Sequence, residues 1–345
     1  MTRPDNHLSK IILITFLLTG LVSFQACLQT AQKPVQRPDY AIVIHGGAGV
    51  IEKSSMTPAM DSAYRSTLSL ALSKGAAILE SGGTSVDAVL AAITLMEDSP
   101  LFNAGRGAVY NEAGFIAHDA SLMEGDKRQA AAVGAVTNIK NPILAAYKIM
   151  KDGRHVFMVG EGAEKFAAEA GLEVVDPAYF FVQRQWDKYE KTRQTTLEKE
   201  FPIDSKHGTV GAVALDRHGN LAAGTSTGGM HYKRVGRLGD SPVIGAGTWA
   251  ENGSCAVSAT GHGEFFIRNV VAYDIAARMK YAHQSLDEAA EEVVMKKLAA
   301  LEAGGGIIAV DSAGNIALTF NTPGMFRGYK IAGKPAFTGL YADEH

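Results

Sequence analysis

Thr209, in the run His207-Gly208-Thr209-Val210, sits in the setting of this chain that most invites covalent chemistry. A threonine hydroxyl is a weak nucleophile unless a base adjoins it, and one available base is the residue's own α-amino group, freed when the chain is cut before it. An α-amine titrates near ~8, so a modest shift leaves it neutral and able to take a proton at physiological pH. Gly208 puts no Cβ in the way of a hydroxyl attacking the preceding carbonyl, and strained backbone costs little at glycine. Residues 176–208 are charged and aromatic, without a convincing period, and a well-patterned strand then begins at Thr209 with neither helix cap nor tight turn. These residues alone leave two readings open: a nucleophile exposed by scission at Gly208-Thr209, or a plain threonine at the start of a strand.

Other stretches imitate different chemistries. Gly224-Thr225-Ser226-Thr227-Gly228 matches the nucleophile elbow of α/β-hydrolases, and His45-Gly46-Gly47 imitates their oxyanion loop. An elbow requires a helix directly after its serine. Here the following residues, 228–247, are rich in glycine and carry a proline. His262-Gly263-Glu264 has the look of a zinc deaminase, but such a site needs further cysteine ligands. The chain has Cys27 and Cys255 alone. Cys255, within the apolar run 253–260, reads as a buried strand residue. No phosphate-binding or dinucleotide-binding glycine motif occurs, so neither a nucleotide cofactor nor a side-chain metal site is indicated.

The elements that must hold these residues can be read from pattern. A continuous apolar strand at 40–44 leads into His45-Gly46-Gly47-Ala48-Gly49. Helices are expected from Thr57-Pro58 to about Ser81, from Ser85 to Glu97, from Asn141-Pro142 to about Met150, and over 161–170. Short strands are expected near 107–110, 115–123 and 129–137. The second half reads as a hairpin from Thr209 to Thr227 turned at Asp216-Asn220, a strand at 254–260, helices over 263–282 and 285–302, and a closing hairpin at 306–311 and 315–321. Strands and helices are grouped rather than alternating, which argues against a doubly wound sheet. The expected class is α+β, with two facing, mainly antiparallel sheets and helices outside.

With 345 residues, 46% of them hydrophobic, the chain can bury a sizeable core, and its formal net charge of -3 carries no electrostatic footprint for nucleic acid. Residues 1–26 read as a signal peptide: Arg3, His7 and Lys10 precede the apolar run 11–24, too short to span a membrane permanently. Export is therefore expected, either to the periplasm or as a lipoprotein anchored through Cys27, with residues 27–38 as a tether.

Several motifs in fixed order then resemble one family. Residues 41–49 (AIVIHGGAG), 99–111 (SPLFNAGRGAVYN), 118–125 (HDASLMEG), 207–229, 236–250 and TGHGEFFIR at 260–268 are similar to the isoaspartyl peptidase and plant-type L-asparaginase family of N-terminal nucleophile hydrolases. The resemblance runs from Tyr40 to the C-terminus. It implies a four-layer αββα sandwich, self-cleavage at Gly208-Thr209, an α half at 39–208 that includes a flexible linker at 176–208, and a β half at 209–345, forming one structural domain. It implies that Thr209 is the nucleophile, that Thr227 orients its amine, and that Thr260 and Gly261 form an oxyanion pair. Arg237 and Asp240 are then the anchors for a substrate's α-carboxylate and α-ammonium, a planar fork beside a carboxylate matching two opposite charges on one carbon. Gly263 lends backbone contact to the substrate, and Asn103 stands near the nucleophile. His45-Gly46-Gly47 is expected to pack close to the site, with no catalytic role for His45. Family members also hold a structural sodium ion through backbone carbonyls, here those of Met96, Glu97, Ser99, Phe102, Ala104 and Arg106. No cofactor is required for catalysis. A homodimer of cleaved protomers is implied, acting on asparagine or β-aspartyl dipeptides. Glycosylasparaginases use the same chemistry on sugar-linked asparagine but have an acidic residue where this chain has Gly208. A non-catalytic, lipid-anchored binding protein of the same fold is the alternative from another class, and the intact Thr209, Thr227, Arg237, Asp240 and Thr260 count against it.

Overall fold

The structure, a computed structural model, describes residues 37–198 and 208–344. The expected signal peptide, Cys27, nearly all of the expected tether and the last part of the expected linker lie outside the described residues. Among the described residues no helix is long and apolar enough to cross a membrane.

Twelve strands form two sheets. The larger sheet contains β1 (Ala41–Gly49), β2 (His118–Glu124), β3 (Ala130–Val136), β4 (Phe157–Val159), β5 (Val210–Leu215), β6 (Leu221–Thr227), β11 (Gly324–Ile331) and β12 (Phe337–Tyr341), in the order β12-β11-β1-β5-β6-β2-β3-β4. The smaller sheet, β10-β9-β8-β7, contains β7 (Thr248–Ala250), β8 (Cys255–Gly261), β9 (Gly305–Asp311) and β10 (Ile316–Phe320). Every pairing is antiparallel except β3 with β4. Helices α1 (Pro58–Glu80), α2 (Ser85–Asp98) and α3 (Pro142–Asp152) cover the outer face of the large sheet. Helices α6 (Gly263–Asn269), α7 (Val271–Ala282) and α8 (Leu286–Glu291) follow β8, and residues of α6–α8 cover the small sheet. A third apolar cluster fills the space between the sheets, completing the expected four-layer sandwich.

Side-chain alternation decides what faces what, because successive residues of a strand point to opposite faces. In β5, Val210, Ala212 and Ala214 pack under the helices, whereas Val213 and Leu215 point between the sheets. Thr209 has the parity of Val213. The same count places His45 with Ala41 and Val43, Thr225 and Thr227 with Leu221 and Ala223, and Ser258 and Thr260 with Ala256, all toward the inter-sheet layer. β5 lies between β1 and β6, so the Gly208-Thr209 junction opens a strand at the centre of the large sheet.

Local signals behave as their chemistry dictates at several points. Thr57 and Thr84 cap α1 and α2 by accepting from Met60 N and Asp87 N. Asp216 turns the β5–β6 hairpin by accepting from His218 N and Asn220 N, and its other oxygen accepts from Ser85 N at the head of α2.

Elsewhere the structure differs from expectation. No strand forms at 107–110; Gly105–Gly107 is a 3₁₀ turn. β2 starts at His118 rather than 115, because Asn111 Oδ1 accepts from Ala113 N and Phe115 N and folds that stretch into a turn. The helix expected over 263–282 breaks at Val270, which is left-handed at φ 50°. The next helix continues as a π-type stretch over Glu292–Leu298. β4, β7, β11 and β12 were not expected. The stretch 176–198 of the expected flexible linker is also ordered, as a 3₁₀ turn at Pro177–Phe180 and a sixteen-residue helix, α5 (Gln183–Glu198). The helix α4 (Gly160–Glu169) lies where expected.

Candidate functional site

The Gly208 carbonyl is surrounded by donors. Gly208 O accepts from Asn103 Nδ2 at 2.7 Å and from Thr227 Oγ1 at 3.0 Å, and Thr209 Oγ1 lies 2.8 Å away. Thr209 Oγ1 also stands 3.1 Å from Thr227 Oγ1. One hydroxyl proton cannot serve two acceptors at once. A relay, Thr209 hydroxyl to Thr227 hydroxyl to Gly208 O, uses each proton once. Gly229 N donates to Thr227 Oγ1, and Asn103 Nδ2 also reaches Gly229 O, so both donors are pinned to the β6 end. Asn103 is oriented in turn by accepting from Val109 N through Oδ1.

The approach of β1 is equally close. Gly47 has φ 111°, and a Cβ there would stand 2.9 Å from Gly208 Cα and 3.1 Å from Thr209 N. Only glycine satisfies both the conformation and the contact. One turn of strand earlier, His45 Nδ1 contacts Thr209 O at 3.0 Å and Nε2 contacts Ser258 Oγ at 2.9 Å. From Ser258 a buried chain of hydroxyls runs through Thr225, Thr248 and Ser121. Burial pushes the His45 imidazole down to about 3, so it is neutral near pH 7 and ties β5 to the facing sheet without adding charge.

Gly208, Thr209, Thr227, Arg237, Asp240 and Gly261 line one small cavity, with Gly229, Met230, Gly239 and Ser241. Arg237 and Asp240 stand side by side: a Cβ on Gly263 would lie 2.9 Å from Arg237 Nη2 and 3.0 Å from Asp240 Oδ1. Any side chain at 263 would therefore enter the space between the two charges. Arg237 is held by Glu264 through two nitrogens, at 3.0 and 2.9 Å. Burial raises the Asp240 carboxyl to about 7, with the Arg237 charge opposing the shift, and its Oδ2 has no partner among the described residues. Thr260 is buried beside Gly261 but does not line this cavity; its hydroxyl accepts a long contact from Ala48 N at 3.4 Å.

The loop matching the expected sodium ligands folds tightly on itself. A Cβ on Gly105 would stand 2.3 Å from Glu97 O, and one on Gly107 would stand 2.1 Å from Phe102 O. Glu97 O and Phe102 O thus each lie against a glycine of the loop, and backbone carbonyls are the donor type a hard cation takes. Among the described residues no cluster of His, Cys, Asp and Glu side chains suits a metal. The Glu97 side chain has work of its own, accepting from Ser226 Oγ beside Thr227 and from Ile143 N at the head of α3.

His45 packs against Thr209, close to the site as expected, and the structure adds its partners, which lie far apart in the chain. One contributor escaped sequence reasoning. Lys233 forms a buried ion pair with Asp119 at 3.2 Å and donates to Ala117 O, fastening the loop that carries Arg237 to β2. An acid inside an apolar strand, Asp119, was the available signal. Cys255 is buried as expected, and burial raises its thiol to about 12.

Comparison with known proteins is consistent with this geometry. Residues 38–338 match the family model described as asparaginase. The isoaspartyl peptidase of Escherichia coli strain K12 is 48% identical over 309 residues, covering 88% of this chain and 96% of that protein. A putative isoaspartyl peptidase/L-asparaginase of Dictyostelium discoideum is 45% identical over 323 residues, covering 84% and 93%. The isoaspartyl peptidase/L-asparaginase of Rattus norvegicus is 40% identical over 278 residues, covering 79% and 81%.

Proposed function

Because the chain belongs to the asparaginase family, we propose that it is a self-processing threonine amidohydrolase acting on the side-chain amide of L-asparagine and on β-aspartyl dipeptides. The observation that carries this reading is the cluster at Gly208-Thr209, with a nucleophilic hydroxyl, donors on the carbonyl to be cut, and a fork-and-carboxylate pair around the same cavity.

Self-cleavage begins as Thr209 Oγ attacks the Gly208 carbonyl carbon. Negative charge develops on Gly208 O, where Asn103 Nδ2 and the Thr227 hydroxyl are already placed to receive it. The Gly208 C–N bond breaks, the hydroxyl proton ends on the Thr209 nitrogen, and water hydrolyses the resulting ester. The products are a Gly208 carboxylate and a Thr209 with both a free amine and a free hydroxyl.

In the second reaction that amine takes the proton of its own hydroxyl, which attacks the side-chain carbonyl of an aspartyl group. Arg237 holds the α-carboxylate and Asp240 the α-ammonium. The Thr260 hydroxyl and the Gly261 N–H stabilise the oxyanion, the substrate's C–N bond breaks as its nitrogen takes the proton held by the Thr209 amine, and water hydrolyses the aspartyl ester on Thr209 Oγ to release aspartate. Backbone oxygens of the 96–106 loop would hold the sodium ion that the family resemblance implies, stiffening the segment bearing Asn103 with no part in proton transfer. Export, lipidation at Cys27 and a dimer of cleaved protomers belong to the same reading.

The test is turnover by the processed protein of β-Asp-Leu, asparagine and N-acetylglucosaminyl-asparagine side by side. Turnover of the first two is expected; hydrolysis of the sugar-linked compound alone would reject the assignment.

Asp240 adds a pH dependence. It binds an ammonium only when ionised, and its carboxyl is raised to about 7. Below that pH the neutral form dominates, so KM should rise by about tenfold per pH unit as pH falls. Protonation of the Thr209 amine acts on the chemical step, so kcat and KM profiles separate the two groups. A KM flat from pH 5 to 8 would exclude Asp240 as the ammonium anchor.

A further inference from the structure

A second cavity, of about 570 Å³, lies on the other side of Gly208, the one residue it shares with the small cavity. Its wall is apolar where Val50, Met56, Met60, Phe102 and Phe326 meet, and cationic where α5 presents Arg184, Lys188 and Lys191. No carboxylate lines it among the described residues. Positions 184, 188, 191 and 195 recur at helical spacing, so one face of α5 forms the charged wall. Arg184 is occupied with Tyr64 OH, Pro100 O and Leu101 O. Lys191 is exposed, at the far end of that face.

This wall does not depend on the bond to be cut. Gln185 Nε2 donates to Gly107 O, Tyr189 is buried, Trp186 stacks edge-on against Tyr110 at 5.2 Å, and Thr192 contacts His231. None of these contacts involves Gly208 or Thr209.

Resting on the proposed activity, we infer that the large cavity receives the leaving residue of a β-aspartyl dipeptide, with an apolar side chain against the Val50–Met60 wall and the free α-carboxylate toward Lys191 and Lys188. The anchors fix the aspartyl headgroup in the small cavity, which Thr209 lines, and Gly208 joins that cavity to the large one. The departing nitrogen therefore points away from Arg237 and Asp240, toward the larger space. Asparagine releases ammonia and leaves that space unused. The cavity thus selects for an anionic, apolar leaving group over a neutral sugar.

The test compares kcat/KM for β-Asp-Leu, β-Asp-leucinamide and asparagine in the processed wild type and in Lys191→Glu, with a Lys188→Gln/Lys191→Gln double variant as a milder change. The wild type should prefer the free acid over the amide. Lys191→Glu should lower β-Asp-Leu turnover by about tenfold and the double variant by about threefold, in line with partly exposed ion pairs. Asparagine should be unchanged, and 1 M salt should erase the acid-over-amide preference. Equal losses on all three substrates, or an unaltered acid-to-amide ratio, would overturn the inference. Slower self-cleavage with an unaltered ratio would overturn it too, assigning the lysines to the new Gly208 carboxylate. A wild type that turns over asparagine but no β-aspartyl peptide would overturn it and leave the catalytic threonine standing; a wild type that turns over neither would bring down the proposed activity itself.

Discussion

Thr209→Ala will be isolated as one unbroken polypeptide and will hydrolyse neither asparagine nor β-Asp-Leu. The loss of turnover should be at least about 10⁴-fold, since removing a covalent nucleophile leaves only what binding and oxyanion contacts supply. Two functions fail together because one hydroxyl serves both, first against Gly208 and then against substrate. Thr209→Ser separates chemistry from folding: it keeps the oxygen and loses one methyl, so it should still cleave and turn over, more slowly. Thr209 is buried beside Gly208 and Thr227, so the alanine variant must be shown to melt near the wild-type temperature. Denaturing electrophoresis and intact mass decide the matter. A Thr209→Ala sample that separates into two chains would refute the proposed nucleophile.

Asn103→Ala should slow self-cleavage by about 10²-fold to 10³-fold, the cost of removing one donor from a developing oxyanion. The basis is its short contact to Gly208 O, 2.7 Å, against 3.0 Å for Thr227. Because Asn103 also bridges to Gly229 O and accepts from Val109 N, truncation loosens two loops besides. Asn103→Asp addresses this by keeping the shape and the acceptor for Val109 while replacing the donor with an oxygen. It should cleave as slowly as the alanine variant while melting closer to wild type. The measurement is the half-time of band conversion after purification of unprocessed protein. Conversion of both variants at the wild-type rate would remove Asn103 from the processing step. Once cleavage is complete, Asn103 has no Gly208 amide to polarise, so its substitution should affect steady-state turnover much less than processing.

The parts of the fold legible in the sequence are those whose cause is local. Capping by Thr57 and Thr84 and the Asp216 turn depend on neighbours within four residues. Strand alternation did more: once β1, β5, β6 and β8 are recognised, parity alone sends His45, Thr209, Thr227 and Thr260 into the layer between the sheets. What alternation cannot supply is which strands are neighbours. The His45 contact with Ser258 spans 213 positions of sequence, and the Lys233–Asp119 pair spans 114. α5 was missed for another reason. Its apolar residues Trp186 and Tyr189 pack into a satellite cluster with Ala108, Tyr110, Ile116 and Phe180, apart from the main core, so a helix carrying much charge shows little apolar stripe. β11 escaped because its glycines, Gly324 and Gly328, stand where neighbouring backbone leaves no space for a side chain, which weakens its strand pattern. Arg237, Asp240 and Gly263 carry no pattern of their own; only the family resemblance singled them out as substrate contacts, and the structure sets them side by side.

The position of β5 at the middle of the large sheet has a thermodynamic corollary. Its ladders to β1 and β6 begin at Gly211 and Val210, downstream of the Gly208-Thr209 bond, so the proposed scission removes no strand pairing. Before scission, unfolding is a one-molecule event and its midpoint is independent of dilution. Afterwards the same sheet is shared by two molecules, and melting becomes a dissociation whose midpoint falls as the sample is diluted. The proposed cleavage would thus change the reaction order of unfolding without removing a strand ladder.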